Sequence, residues 1–288
     1  MRIVMTGASG LIGSAVRSQL MEEGHDVLSL GRRGADHALD LADFRPVDLK
    51  GPCDVFIHCA GITDEEILRD RRGALKRGTT ETAVLFDWAA SLKPSRIIYI
   101  STAHVYGDLN RAIDEGAPAV PLSLYGTLHL FCENYLRSLG VPYLVLRPLT
   151  VFGEVGENFS RWGLIPFSFP RALALEQKIV LNTHGRQGRN FISTRTIART
   201  VAREITGAGS GVINAAGPHS MSVRDFAGFC IDVLQPFSER QLDLVVKKDA
   251  EHTNNFRYVS GRMCCKEDLS LLKDHVVSMY EMFRKAVL

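Results

Sequence analysis

The chain has no apolar run of the roughly 20 residues needed to cross a membrane, so no membrane partner is expected. It carries little charge of one sign: 34 Lys and Arg against 32 Asp and Glu leave +2. With no basic stripe interleaved with aromatics, nucleic acid is not expected as a partner. Cysteine is sparse, at six in 288 residues, and none stand in CxxC or metal-ligand spacing. There is no HExxH, and the nine histidines are scattered, so no metal is expected. Cys59 falls in a predicted strand and Cys132 in a predicted helix. Reduced structural thiols and a cytoplasmic location follow. Repeats and low-complexity segments are also missing. Arg2 followed by apolar residues is not read as a signal peptide, because the segment completes a strand–turn–helix unit and lacks a cleavage region.

What is present is an alternation of apolar runs with helical patterns. Arg2 to Met5, Val27 to Leu30, Asp54 to Ala60, Arg96 to Ser101 and Tyr143 to Arg147 read as buried strands. Helices are expected from Leu11, over Ala74–Ala90 and from Tyr125 to Leu139. Near-continuous apolar strands separated by helices imply a doubly wound parallel α/β sheet of Rossmann type. Between Leu30 and Asp54 the chain is short and polar, which predicts an abbreviated crossover or a very short strand near His37 to Leu41. Val151 to Pro170, rich in Gly, Phe and Pro, reads as irregular. Gly211 to Ala216 reads as one more strand, and Ser222 to Leu234 as a helix capped by Ser222. Residues 1–150 form the expected dinucleotide-binding domain, which also receives roughly 190–216. Residues 151–189 and 217–288 form a smaller interleaved substrate lobe.

The most informative stretch is Thr6-Gly7-Ala8-Ser9-Gly10-Leu11-Ile12-Gly13, between the first strand and the first helix. Glycines at this spacing allow a tight turn and bring a pyrophosphate to a helix N-terminus. Unpaired N–H groups and the positive end of the helix dipole receive its charge there. Gly7, Ser9, Gly10, Leu11, Ile12 and Gly13 are the expected cofactor contacts.

Two further segments carry chemistry, Ser101-Thr102-Ala103-His104-Val105-Tyr106-Gly107 and Tyr125-Gly126-Thr127-Leu128-His129. With the glycine turn, His58-Cys59-Ala60-Gly61, Arg147-Pro148-Leu149-Thr150-Val151-Phe152-Gly153 and Gly188-Arg189-Asn190-Phe191-Ile192, the chain resembles the extended short-chain dehydrogenase/reductase family. That family comprises nucleotide-sugar epimerases, dehydratases and ketoreductases. The resemblance runs from Met1 to about Ala216. It implies hydride transfer between a nicotinamide and a sugar carbon, with Tyr125 as general acid/base and Thr102 bonding the same oxygen. It places Cys59, Ala60, Gly61 and Pro148 along the cofactor, and Asp40 and Leu41 at the adenine edge. It also suggests a homodimer through paired helices.

A phenol with a pKa near 10 needs a neighbouring cation to work near neutral pH. The family supplies a lysine four residues after the tyrosine, which also holds the nicotinamide ribose. Here that residue is His129. Either it substitutes for the lysine, as an imidazolium or as a neutral ribose ligand, or it packs and turnover is weakened or lost. Gly78 stands where the family usually has an asparagine. His104 is a candidate substrate-side acid/base or a polar loop residue. Ala103-His104 cannot supply the acidic pair of a 4,6-dehydratase.

Where an NAD site places Asp or Glu at the end of the second strand, this chain has Gly31-Arg32-Arg33. Removing a carboxylate and adding guanidinium groups favours NADP(H) over NAD(H), although two solvated surface arginines would look the same. Arg189 matches a residue that contacts nucleotide phosphates in relatives, and Thr150 replaces a frequent asparagine. The leading expectation is an NADP-dependent 4-keto nucleotide-sugar reductase. The alternatives are a sugar epimerase, or a dinucleotide-binding sensor or assembly protein that has lost turnover.

Overall fold

The apolar runs of the first half assemble into one parallel sheet in a computed structural model, which describes residues 1–32, 34–156, 159–247, 256–263 and 269–286. Its strands are β1 (Arg2–Thr6), β2 (Asp26–Gly31), β3 (His37–Ala38), β4 (Val55–His58) and β5 (Arg96–Ile100). After the short β6 (Ala112–Ile113), it is completed by β7 (Tyr143–Pro148) and, past β8 (Thr150–Phe152), β9 (Lys178–Leu181) and β10 (Gly188–Ser193), by β11 (Gly211–Ala215). The spatial order is β11-β7-β5-β4-β1-β2-β3. Chain direction around the sheet therefore reverses between β1 and β4. That switch opens a crevice at the carboxyl ends of the strands, where such sheets receive ligands.

Both faces are covered, which is why the strands are apolar on both sides. On one face α1 (Leu11–Glu22) packs through Val16 and Leu20. On the other, α2 (Asp64–Arg69), α3 (Arg71–Lys76) and α4 (Thr82–Ser91) precede α5 (Leu124–Ser138). Leu85, Phe86 and Ala89 of α4 and Cys132 and Leu136 of α5 enter that second core. Beyond α6 (Ile165–Glu176), α7 (Thr194–Glu204) returns to the first face beside α1, bringing Ile197 and Val201. The remaining elements are β12 (His219–Ser222), α8 (Val223–Leu234), β13 (Asp243–Val246), β14 (Arg257–Tyr258) and α9 (Leu269–Lys285). A separate core of Phe169, Leu173, Phe191, Phe226, Leu272 and Val276 joins α6, α8 and α9 to β10. Ser222 caps α8 as expected, and Asp225 completes a reciprocal capping box.

The crossover between β2 and β4 is as short as its polarity implied. It contains only the two-residue β3, and Leu39 and Phe44 then tuck into the core. Two expectations need correction. Ala74–Ala90 is not one continuous helix, because a π-turn at Arg77–Glu81 separates α3 from α4. The Thr82 hydroxyl donates to the Arg77 carbonyl at 2.6 Å, and the Cys132 thiol to the Gly78 carbonyl at 3.3 Å, so the widened turn is hydrogen-bonded from two sides. Val151–Pro170 is not irregular throughout, because β8 and the first half of α6 lie within it. Pro166 stands at the helix start, where a missing N–H costs nothing. Pro170 lies inside and leaves the Pro166 carbonyl without its helical donor. His275 Nε2 of α9 donates to that carbonyl at 3.1 Å, which lets a helix form across a proline.

One buried ion pair ties α5 to the sheet. Glu133 is fully buried and receives Arg147 Nε at 3.0 Å, Arg147 Nη2 and the Ser101 hydroxyl. Arg147 also lies over the Tyr106 ring, 4.7 Å from its centroid. Removing one member of such a pair strands the other charge in the interior. Arg147→Met is expected to lower stability by about 3–5 kcal/mol, measured by urea unfolding. A loss below about 1 kcal/mol would show that Glu133 is not held in this way.

Candidate active site

The glycine turn is shaped by close approach rather than by side chains. Gly7 has φ of +74°, and a Cβ there would fall 2.6 Å from the Ala60 amide nitrogen, in the backbone that leaves β4. A Cβ on Gly13 would fall 2.0 Å from the Gly7 carbonyl oxygen. Only glycine permits either contact. Gly10 caps α1 with no side-chain acceptor for the first-turn N–H groups. Ser9 and Gly10 are exposed, and Leu11 and Ile12 are half-buried. A bare helix N-terminus at the switch point fits a pyrophosphate. Cys59 and Ala60 lie directly across the turn, and Gly61 lies against the His129 ring; burial pushes the Cys59 thiol up to about 12, which makes it inert.

At the other end of the crevice the chain brings Thr102, His104 and Tyr125 together. Thr102 leaves β5 and caps a short 3₁₀ turn, accepting from the His104 amide at 3.2 Å. Tyr125 sits in the first turn of α5, capped by Ser123. A Cβ on Gly126 would fall 2.4 Å from the His104 carbonyl oxygen, so glycine allows α5 to approach the 3₁₀ turn. The Tyr125 phenol is thereby brought to the same side of the crevice as Thr102, near enough for Thr102 to bear on its pKa. The rings of His104 and Tyr125 meet edge-on at 5.6 Å. Burial raises the Tyr125 pKa. Arg161 and then Thr102 oppose it, and Asp64 reinforces it.

His129 lies beside Tyr125, with ring centroids 4.6 Å apart. Its two nitrogens are both engaged. The Ile62 carbonyl faces Nε2 at 3.4 Å, and the Tyr99 hydroxyl faces Nδ1 at 2.6 Å. A carbonyl only accepts, so the proton sits on Nε2 and Nδ1 receives the Tyr99 O–H. Burial lowers the His129 pKa to about 4. The Tyr99 ring stacks between His129 and His58, at 5.9 and 5.5 Å. His58 is lowered to about 3 by burial. At neutral pH the position of the expected lysine therefore holds a neutral ring, already bonded to the protein.

A profile of the NAD dependent epimerase/dehydratase family matches residues 3–216. The chain belongs to this family of extended short-chain dehydrogenase/reductase enzymes. It is 28% identical over 246 residues to the "probable low-salt glycan biosynthesis reductase" of Haloferax volcanii, covering 80% of this chain and 79% of that one. Three mycobacterial relatives are much longer, and the matched stretch spans 23% of their length. Two solved structures share the fold. One is the UDP-N-acetylglucosamine 4-epimerase of Methanobrevibacter ruminantium with UDP-N-acetylmuramic acid bound (TM-score 0.79, 20% identity, 99% of this chain and 98% of that one). The other is RMD of Pseudomonas aeruginosa complexed with NADPH (TM-score 0.74, 18% identity, 99% of each chain).

Against the family's pattern the remaining candidates fall as follows. Arg32 is exposed at the end of β2, and Arg33 lies outside the described residues. Asp36 has its carboxylate occupied by the Ser29 amide and hydroxyl, with Arg17 at 3.7 Å. Asp40 accepts from the Ala42 amide and is otherwise exposed, while Leu41 packs on the core. Pro148 ends β7, buried. Thr150 is buried and paired in β8 with Phe191. Arg189 of β10 is close enough to His104 to help lower its pKa, after burial. At Gly78 a Cβ would fall 3.0 Å from Leu128 and 3.1 Å from Ile62. The cavity beside it, about 10 Å³ and also lined by Tyr99 and His129, has room for about one water molecule. Sequence reasoning missed Tyr99, Ile62 and Arg161. The first two occupy His129, and Arg161 bears on Tyr125; none stands in a motif.

The neutral histidines leave a pH signature. Unfolded, His129 takes up its proton near 6.5; folded, it does so only near 4. Between those values the unfolded chain binds more protons, so stability falls as pH drops through the window. The full shift corresponds to about 3 kcal/mol. His129→Gln is expected to remove about that much of the decline between pH 6.5 and 4, read from urea midpoints. An unchanged slope would mean that the ring is already charged in the folded protein.

Proposed function

We propose that the chain is an NADP(H)-dependent reductase of a nucleotide-linked 4-keto sugar. The observation that carries the chemistry is the Thr102–Tyr125 pair at the carboxyl edge of the sheet, in the same crevice as the bare glycine turn. Gly7, Ser9, Gly10, Leu11, Ile12 and Gly13 would hold the pyrophosphate, Arg32 and Arg33 a 2′-phosphate, and Cys59, Ala60, Gly61 and Pro148 would line the cofactor. NADPH, when bound, supplies the reducing equivalent. Thr102 fixes the substrate oxygen by a hydrogen bond, and Tyr125 donates its phenolic proton to that oxygen. The neutral His129 holds Tyr99 and braces the Tyr125 ring. His104, Thr150 and Arg189 face the substrate, with Arg189 on the nucleotide phosphates.

Reduction is favoured over epimerisation by the end of β2. Arg32 is exposed there, and Asp36, the nearest acid downstream, is spent on Ser29. An epimerase regains its hydride, whereas a reductase draws on cellular NADPH. The reductase name of the Haloferax relative and the NADPH in the Pseudomonas structure support this reading. A homodimer in the cytoplasm belongs to the same proposal. Val84 on α4 and Phe131 on α5 leave apolar side chains exposed on adjacent helices.

The neutral His129 and the missing asparagine favour one second reading, a dinucleotide-binding protein without turnover. Purified protein with NADPH and a panel of nucleotide keto sugars separates the two. The reductase reading expects NADPH oxidation that falls at least about 100-fold in Tyr125→Phe, the scale of acid–base contributions. Replacing Arg32 and Arg33 together by serine is expected to weaken NADPH at least about tenfold and leave NADH unchanged. Tight NADPH binding with no turnover across the panel would support the second reading.

A further inference from the structure

The short crossover past β3 is held by a charged pair that belongs to the π-turn. β1, β2 and β3 are parallel, so Asp40 and Leu41 stand at the same carboxyl edge as the glycine turn that follows β1. The chain turns there, with the Ala42 amide donating to Asp40 Oδ1 at 3.0 Å and the Asp43 amide to the Asp40 carbonyl at 3.3 Å. Leu39 and Phe44 anchor the two ends of this turn in the core, and the Phe44 ring lies 5.7 Å from that of Trp88. Between the anchors two further bonds fix the backbone. The Phe44 amide donates to Glu81 Oε2 at 3.2 Å, and Lys76 Nζ donates to the Ala42 carbonyl at 3.2 Å. The same two side chains pair with each other, Lys76 Nζ standing 2.7 Å from Glu81 Oε1. Glu81 is buried, while Lys76 closes the contact from the solvent side.

The pair exists because the helix is widened. Lys76 is the last residue of α3, and Glu81 is the last of the π-turn. Five residues apart in a regular α-helix, they would point about 140° away from each other. A turn closed at i→i+5 spacing brings them to one side, facing the crossover. Leu39 and Phe44 fix where the 40–44 turn begins and ends. They do not fix the direction of its amides and carbonyls, and a carboxylate accepting from a backbone N–H does.

We propose that Glu81, with Lys76, positions the 40–44 turn to receive the adenine half of the nicotinamide dinucleotide. The inference rests on the reading of the chain as a dinucleotide-binding protein with Asp40 and Leu41 at the adenine edge. Glu81 acts through the turn, so it is a positioning residue. A turn ordered in advance spares binding the cost of ordering it.

The test compares the two halves of the cofactor on the folded protein by ligand-observed NMR, which reads weak affinities. Adenosine 2′,5′-bisphosphate and 5′-AMP probe the adenine half, and reduced nicotinamide mononucleotide probes the other. Hydrogen exchange of the Phe44 amide reads the tether directly. Glu81→Ala is expected to weaken both adenine ligands at least about tenfold, the scale of one hydrogen bond to a charged group. It is also expected to speed exchange at Phe44 and to leave the mononucleotide unchanged. Glu81→Gln keeps an acceptor for Phe44 and is expected to restore most of the affinity. Lys76→Met, at an exposed position, serves should Glu81→Ala fail to fold, and is expected to weaken the adenine ligands by releasing the Ala42 carbonyl. Adenine affinity equal to wild type in a folded variant would overturn the proposal. An equal loss for both halves would overturn it too, since a general loosening of the fold gives that result. Wild-type protein that binds none of the three probes, nor NADPH nor NADH, would sink the dinucleotide reading and the proposal with it.

Discussion

The geometry of the site depends on Glu133. This carboxylate, fully buried on α5, collects the Ser101 hydroxyl from the end of β5 and the Arg147 guanidinium from β7. An ion pair away from water is held only if its remaining lone pairs and protons are satisfied. Here Ser101 completes the carboxylate, and Tyr106 covers the guanidinium. One helix is thereby locked against two strand ends. Ser101 precedes Thr102, and Glu133 lies two turns after Tyr125, so the same contact sets the phenol opposite the threonine. Gly126 completes the approach by letting α5 touch the 3₁₀ turn.

The two ends of the crevice are built on different physics. At the glycine turn the work is done by backbone, since Gly7 and Gly13 are positions that no side chain could share. At the Tyr125 end it is done by charge and burial. There a neutral imidazole stands where the resemblance leads one to expect a lysine, and Gly78 where it leads one to expect an asparagine. The two departures are one packing solution. Ile62 and Leu128 close over Gly78, and Ile62 also offers its carbonyl to His129. The π-turn at Arg77–Glu81 carries Gly78 into that contact.

Much of this was legible in the sequence. Apolar runs located the strands of the large sheet, because a strand buried on both faces leaves an unbroken run. The glycine turn was readable from spacing and the shortened crossover from its polarity, while Thr102 and Tyr125 were singled out by the family resemblance. The π-turn was not, since a single extra residue in a helix leaves no periodic trace. The α6 helix was hidden by Pro166 and Pro170, and its support, His275, lies more than 100 residues away. The state of His129 was illegible for the same reason. It is decided by Tyr99 and Ile62, which belong to no motif and meet it only in three dimensions.

The site's chemistry turns on His129 being neutral in the folded protein at working pH. Long-range ¹H–¹⁵N correlation of its imidazole, across pH 8 to 4, reads charge and tautomer together. The prediction is a neutral ring with its proton on Nε2 at pH 7, titrating only near pH 4. A doubly protonated His129 at pH 7 would contradict it and return the lysine's role to the histidine.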